Sequence, residues 1–214
     1  MHANVRLADY LAPLPFCAVL RGITPGEIEA VGRVLADTGF RILEVPLNSP
    51  QPFDSIALLA RHFGSTCLVG AGTVLDPADV ARVRDAGGKL VVMPHADVNV
   101  ITQAKQQGLV CMPGVATPTE AFAALAAGAD GLKMFPAEAL PPAALKAWRA
   151  VLPRGTLVFA VGGMRPDTLR GYWDAGADGF GTGSNLYRPG SPIAEVSTAA
   201  RAYADAVRAL PARP

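Results

Sequence analysis

Short apolar runs recur every twenty-odd residues along this chain, at 16–20, 41–45, 67–70, 90–93, 109–112, 131–135, 157–161 and 178–181. The stretches between them carry helical periodicity, with well-marked starts. Thr24-Pro25-Gly26-Glu27 and Thr117-Pro118-Thr119-Glu120 each place Thr at the cap, Pro at the first helical position and Glu where it completes a capping box, and Asp76-Pro77 repeats the first half of that signal. Gly39, Gly88, Gly108, Gly128 and Gly176 stand just before the next apolar run, where glycine supplies a left-handed helix end. Gly-Ala-Asp-Gly occurs twice, at 128–131 and 176–179, each time leading into a strand.

Strands that are apolar on both faces and alternate with helices imply a parallel sheet covered on its outside. Eight such units predict an α/β chain folded as a closed (β/α)₈ barrel of the TIM type. Barrels of this kind run to roughly 250 residues, so a chain of 214 has short loops. An open doubly wound sheet is the alternative, but no Gly-x-Gly-x-x-Gly turn with an acidic residue about twenty positions later follows the first run. No linker or composition break divides the chain, so one domain over 1–214 is expected, with 193–210 as the closing helix and 211–214 as a tail.

Formal net charge is +1 with 17% charged residues, and no basic stripe, acidic tail or run of like charge is present. Nucleic acid and acidic membrane surfaces are therefore not expected as partners. Cys17, Cys67 and Cys111 lie in apolar runs without the spacing of a metal clip or redox pair, and read as reduced core residues of a cytoplasmic protein. The opening MHANVRLADYLAPLP has too short an apolar run for a signal peptide, and no later stretch approaches eighteen continuous apolar residues.

Lys133 stands out within Gly131-Leu132-Lys133-Met134-Phe135-Pro136, because an ammonium does not belong in an apolar strand without a partner or a task. The chain holds four lysines against fifteen arginines, and Lys89, Lys105 and Lys146 read as solvated or strand-opening residues. A lysine, unlike an arginine, can deprotonate and attack a carbonyl to form a Schiff base. The bland reading is a buried lysine paired with a carboxylate.

In a barrel the active site lies where the strands end. The first run ends at Arg21-Gly22, the second carries Glu44, the third ends at Gly70-Ala71-Gly72-Thr73, the seventh at Gly162-Gly163 and the eighth at Gly181-Thr182-Gly183-Ser184. A lysine, a glutamate and an arginine would thus converge on one mouth. Gly162, Gly163 and Ser184 would offer backbone N–H and hydroxyl donors to a phosphate, although two tight turns explain the glycines equally well. His2 and His62 are not needed, and His95 lies near the mouth but reads as polar surface. No His, Asp or Glu pair has metal-ligand spacing, so neither metal nor cofactor is expected.

These residues resemble the short class I aldolases of 2-keto-3-deoxy-6-phospho sugar acids, the KDPG/KHG aldolase family. The resemblance rests on Leu20-Arg21-Gly22, Leu43-Glu44-Val45-Pro46-Leu47-Asn48-Ser49-Pro50, Val69-Gly70-Ala71-Gly72-Thr73-Val74-Leu75, Met112-Pro113-Gly114, Lys133-Met134-Phe135-Pro136-Ala137 and Val161-Gly162-Gly163, in order over nearly the whole chain. It implies that Lys133 forms the imine, that Glu44 shuttles protons, and that Arg21 and Thr73 hold the pyruvate end. It also implies that Phe135 and Val161 touch substrate and that Gly162, Gly163 and Ser184 hold the phosphate. Asn48-Ser49-Pro50 and Val161 resemble the galactonate branch, since the gluconate branch carries Thr-Leu-Arg-Thr and threonine in the corresponding places. Met93-Pro94-His95-Ala96 departs from both. The implied partners are a small phosphorylated keto acid, pyruvate and, as a homotrimer, further copies of the chain. A gluconate or dual-epimer aldolase, a phosphosugar isomerase or epimerase, and a non-catalytic phosphosugar-binding protein are the alternatives.

Overall fold

The computed structural model describes residues 5–212; His2 and the last two residues of the expected tail lie outside them. Strands and helices alternate as β1 (Leu14–Val19), α1 (Ile28–Thr38), β2 (Phe40–Pro46), α2 (Pro52–Phe63), β3 (Leu68–Gly72), α3 (Pro77–Asp85), β4 (Leu90–Val92), α4 (Val98–Gln106), β5 (Val110–Met112), β6 (Gly114–Val115), α5 (Pro118–Ala126), β7 (Leu132–Met134), α6 (Pro142–Arg149), β8 (Val158–Val161), α7 (Leu169–Asp174), β9 (Gly179–Thr182) and α8 (Ile193–Arg208). All strand pairs are parallel, in the order β5-β4-β3-β2-β1-β9-β8-β7-β6. Because β5 and β6 are separated by Pro113 alone, the two edges of the sheet belong to one stretch of chain, and the sheet is a nearly closed TIM-type barrel.

Nine strands stand where eight are expected. Pro113 has no N–H to give the ladder and so interrupts the fifth run, while its carbonyl still accepts from the Lys133 N–H at 2.8 Å. The pleat then sorts the side chains. Cys17, Ile42, Leu68, Leu90, Val92, Val110, Met112, Phe159 and Val161 fill the barrel interior, and Leu7 joins them from a short 3₁₀ turn at Leu7–Tyr10. Leu43, Val45, Leu132 and Met134 face the helices. Period-two alternation therefore turns Glu44 and Lys133 inward.

Local signals hold with three corrections. Thr117 and Glu120 form the full capping box, and Asp76 caps α3. At Thr24–Glu27, however, the helix begins only at Ile28. Glu27 reaches back to the Thr24 N–H and hydroxyl, but its other oxygen accepts from Tyr187 Oη at 2.8 Å and the Gly190 N–H at 3.3 Å, so the carboxylate ties two loops rather than capping the helix. The left-handed residue after α3 is Gly87, not Gly88.

The third correction concerns Lys105, which is not a solvated stem. Its Nζ meets Asp130 Oδ2 at 2.5 Å, and the same oxygen accepts from the Cys111 N–H at 2.8 Å. Asp178 does the same with Arg149 and the Val158 N–H. Each copy of Gly-Ala-Asp-Gly thus supplies an aspartate that satisfies a strand N–H at the lower rim and pairs with a base from the helix before the neighbouring strand.

Candidate active site

At the C-terminal ends of the strands lies a cleft of about 230 Å³ lined by Arg21, Thr73, Lys133, Phe135, Val161, Gly162, Gly163 and Ser184. All of these were singled out in the sequence. Glu44, the remaining one, lies beneath the cleft at 1% exposure. A larger hollow of about 430 Å³ between α1 and α8 is lined by surface residues such as Asp37, Arg201 and Arg208, and contains none of this set.

Lys133 is 6% exposed, and its Nζ sits 4.8 Å from the centre of the Phe135 ring, whose π face stabilises the cation. The segment that carries it is pinned from behind: Tyr172 Oη donates to the carbonyls of Ala137 at 2.6 Å and Leu140 at 3.1 Å. Glu44 makes no salt bridge with Lys133 among the described residues, which removes the simple structural pairing. Its Oε2 is buried with no hydrogen-bond partner. Burial pushes the Glu44 carboxyl up to about 7, against the pull of Lys133 and Arg21. Room for the carboxylate comes from Gly72, where a Cβ would overlap it. Cys17 shares this interior; burial pushes its thiol up, and Glu44 adds to the effect while Lys133 opposes it.

Thr73 adopts φ 54°, a left-handed conformation that is strained for a β-branched residue. Its Oγ1 accepts from Arg21 Nη2 at 3.4 Å, and Arg21 Nη1 donates to Asn48 Oδ1 at 2.7 Å. On the opposite wall Gly162 and Gly163 both have positive φ, at 105° and 65°. The turn they open is held by Tyr203, whose Oη donates to the Met164 carbonyl at 2.7 Å and accepts from Thr182 Oγ1 at 2.9 Å. Asn185 Nδ2 donates to the same carbonyl at 3.1 Å. His95 is exposed and does not line the cleft, whereas Pro94 beside it does.

Sequence reasoning did not assign roles to Asn48, Met164, Asn185 or Tyr203. Asn48 lay inside the Asn48-Ser49-Pro50 segment that resembles the galactonate branch, without a role of its own. Tyr203 carries no signal, because its hydroxyl acts on a turn nearly forty residues away in the chain. Among the described residues no cluster of His, Cys, Asp or Glu could hold a metal ion, and no helix is long and apolar enough to cross a membrane.

An inward lysine, an unpaired inward carboxylate and a rim arginine on one barrel agree with the family model that this chain matches over residues 8–200, described as KDPG and KHG aldolase. The chain belongs to the KDPG and KHG aldolase family. It is accordingly an aldolase, a carbon–carbon lyase. A probable 2-dehydro-3-deoxy-6-phosphogalactonate aldolase of Rhizobium meliloti is 49% identical over 182 residues, which cover 85% of this chain and 86% of that protein. The 2-dehydro-3-deoxy-6-phosphogalactonate aldolase of Escherichia coli is 46% identical over 195 residues, 91% of this chain and 95% of its own. The solved structure of native KDPGal superposes with a TM-score of 0.91 at 45% identity, covering 93% of this chain and 97% of that one. In this chain Arg21 and Lys133 line the cleft at the mouth of the barrel, with Glu44 buried beneath it.

Proposed function

We propose that this aldolase cleaves 2-dehydro-3-deoxy-6-phosphogalactonate to pyruvate and glyceraldehyde 3-phosphate through an imine on Lys133. The observation that carries the reading is a buried lysine beside a buried carboxylate that no salt bridge neutralises.

Neutral Lys133 Nζ adds to the 2-keto carbon, and loss of water with uptake of one proton leaves an iminium. Glu44 removes the proton of the fourth-carbon hydroxyl, and the bond between carbons 3 and 4 breaks. Its electron pair moves into the iminium to give an enamine, while glyceraldehyde 3-phosphate departs. The protonated Glu44 returns its proton to carbon 3, and water hydrolyses the new iminium to pyruvate and free lysine. A carboxyl that titrates at about 7 suits both directions of transfer. Arg21 and Thr73 hold the carboxylate end, Phe135 backs the lysine, and Gly162, Gly163 and Ser184 hold the phosphate. Val161, apolar and 5% exposed, favours the galactonate epimer by offering no hydroxyl donor to the fourth carbon. The enzyme acts without a metal, in the cytoplasm, within galactonate catabolism. It assembles as a homotrimer, for which the exposed side chains of Leu75, Val98 and Phe122 provide apolar surface.

The test is borohydride reduction in the presence of pyruvate, with mass analysis of the peptide that carries Lys133, followed by pyruvate release from the two epimeric 6-phospho acids in the presence of chelator. A reduced adduct on Lys133 and faster release from the galactonate epimer are expected. No adduct sinks the imine, and equal or reversed release sinks the role of Val161.

A further inference from the structure

Arg21 lines both the cleft of Lys133 and an adjoining hollow of about 360 Å³ that continues past Ser184 towards Tyr187 and Arg188. A guanidinium at so open a place has wide rotamer freedom, so on its own it would meet a carboxylate in many geometries. The chain removes that freedom from two sides. Asn48 Oδ1 accepts from Nη1 at 2.7 Å, and Thr73 Oγ1 accepts from Nη2 at 3.4 Å. Each nitrogen keeps a further N–H, and the Nε N–H is also left for an anion.

Asn48 lines neither the cleft nor the adjoining hollow, and its link to the cleft is the hydrogen bond to Arg21. The segment that carries it is itself fixed, because the buried Ser49 accepts from the Gly22 N–H at 2.9 Å. The loop after β2 therefore grips the loop after β1 twice, once at the backbone and once at the guanidinium. Glu44 lies on β2 and Asn48 in the loop that follows it, so one stretch of chain sets both the proton-transferring group and the orientation of the anion-binding group.

We propose that Asn48 is a positioning residue that orients Arg21 towards the carboxylate of the keto acid. This rests on the reading of Lys133 and Arg21 given above. The acceptor on Nη1 selects the guanidinium orientation in which the remaining donors face the cleft, and a charge-assisted hydrogen bond is strong enough to hold it there.

The experiment measures the pyruvate concentration that half-saturates borohydride trapping, in wild type, Asn48→Ala, Arg21→Ala and the double variant. Asn48→Ala is expected to raise it about tenfold. The maximal trapped fraction should stay the same. In the Arg21→Ala background the same change should add less than about twofold, since the two residues act as one unit. Half-saturation by glyceraldehyde 3-phosphate in the condensation direction should not move, which a general loosening of the loop would not spare. Wild-type saturation in Asn48→Ala, multiplying effects in the double variant, or an equal loss at the phosphate end each overturns the proposal. Wild-type protein that never traps pyruvate overturns the reading of Lys133 and the proposal with it, whereas normal wild-type trapping with an unaltered variant overturns the proposal alone.

Discussion

At the lower rim of the barrel, Asp130 holds Lys105 and a strand N–H, and Asp178 holds Arg149 and another. At the upper rim, Lys133 and Glu44 are more deeply buried, yet no salt bridge joins them and one carboxylate oxygen has no partner at all. Both ends belong to the same parallel sheet. What differs is whether each charge is satisfied inside the protein. A satisfied charge stabilises the fold, because its desolvation is offset by fixed donors. An unsatisfied one raises the energy of the resting state and is available for another molecule, which is the physical mark of a reactive site.

Three substitutions would break or sharpen that contrast. Lys133→Arg keeps the cation and the fold but cannot form an imine, so kcat/KM should fall by at least about 10⁴-fold with loss of borohydride trapping. Substantial retained activity would put the upper rim in the same class as the lower.

Glu44→Gln tests the cost of the unpaired carboxylate. The folded value of about 7 stands above the usual 4.5. The contribution of Glu44 to stability is therefore full below 4.5 and is lost as pH rises through about 7. That interval corresponds to about 3 kcal/mol at most. Denaturant unfolding from about pH 4 to pH 8 should show the stability of wild type falling by up to this amount relative to the glutamine variant. A flat or opposite dependence would mean that Glu44 is satisfied in solution.

Asp130→Ala at the lower rim should behave in the opposite sense. It strands a strand N–H and leaves the partly buried Lys105 ammonium only the Leu109 carbonyl, and should lower unfolding free energy by about 2 kcal/mol. The folded fraction should still trap pyruvate at wild-type concentrations. A loss of trapping without a loss of stability would show that the two ends are not separable.

Most of the barrel was legible because periodicity is local. The spacing of apolar runs, the Thr117 capping box and the glycine ends are each set by a few neighbouring residues, and the structure bears them out within a few positions. Thr24–Glu27 misled because the Thr24 hydroxyl donates to Glu27 Oε2 instead of capping the helix, while the other carboxylate oxygen is held by Tyr187, 160 residues on. Lys105 misled for the same reason: its partner Asp130 lies 25 residues on and is reached only when two neighbouring units stack. In the site, residue types at strand ends were enough to name Arg21, Thr73, Lys133, Gly162, Gly163 and Ser184 among those that line the cleft, since a parallel barrel brings all those ends to one face. Asn48 and Tyr203 act through neighbours chosen by packing, which no local pattern encodes.

The sequence alone therefore determined the repeating unit, the direction of the barrel and the short list of groups at its mouth, because strand period and chain polarity are properties of consecutive residues. Only the tertiary structure decided which charges are neutralised. Hydrogen bonds reach about 3 Å, and whether Asp130 meets Lys105, Arg21 meets Asn48, or Glu44 Oε2 is left without a hydrogen-bond partner depends on how strands far apart in the chain pair and close.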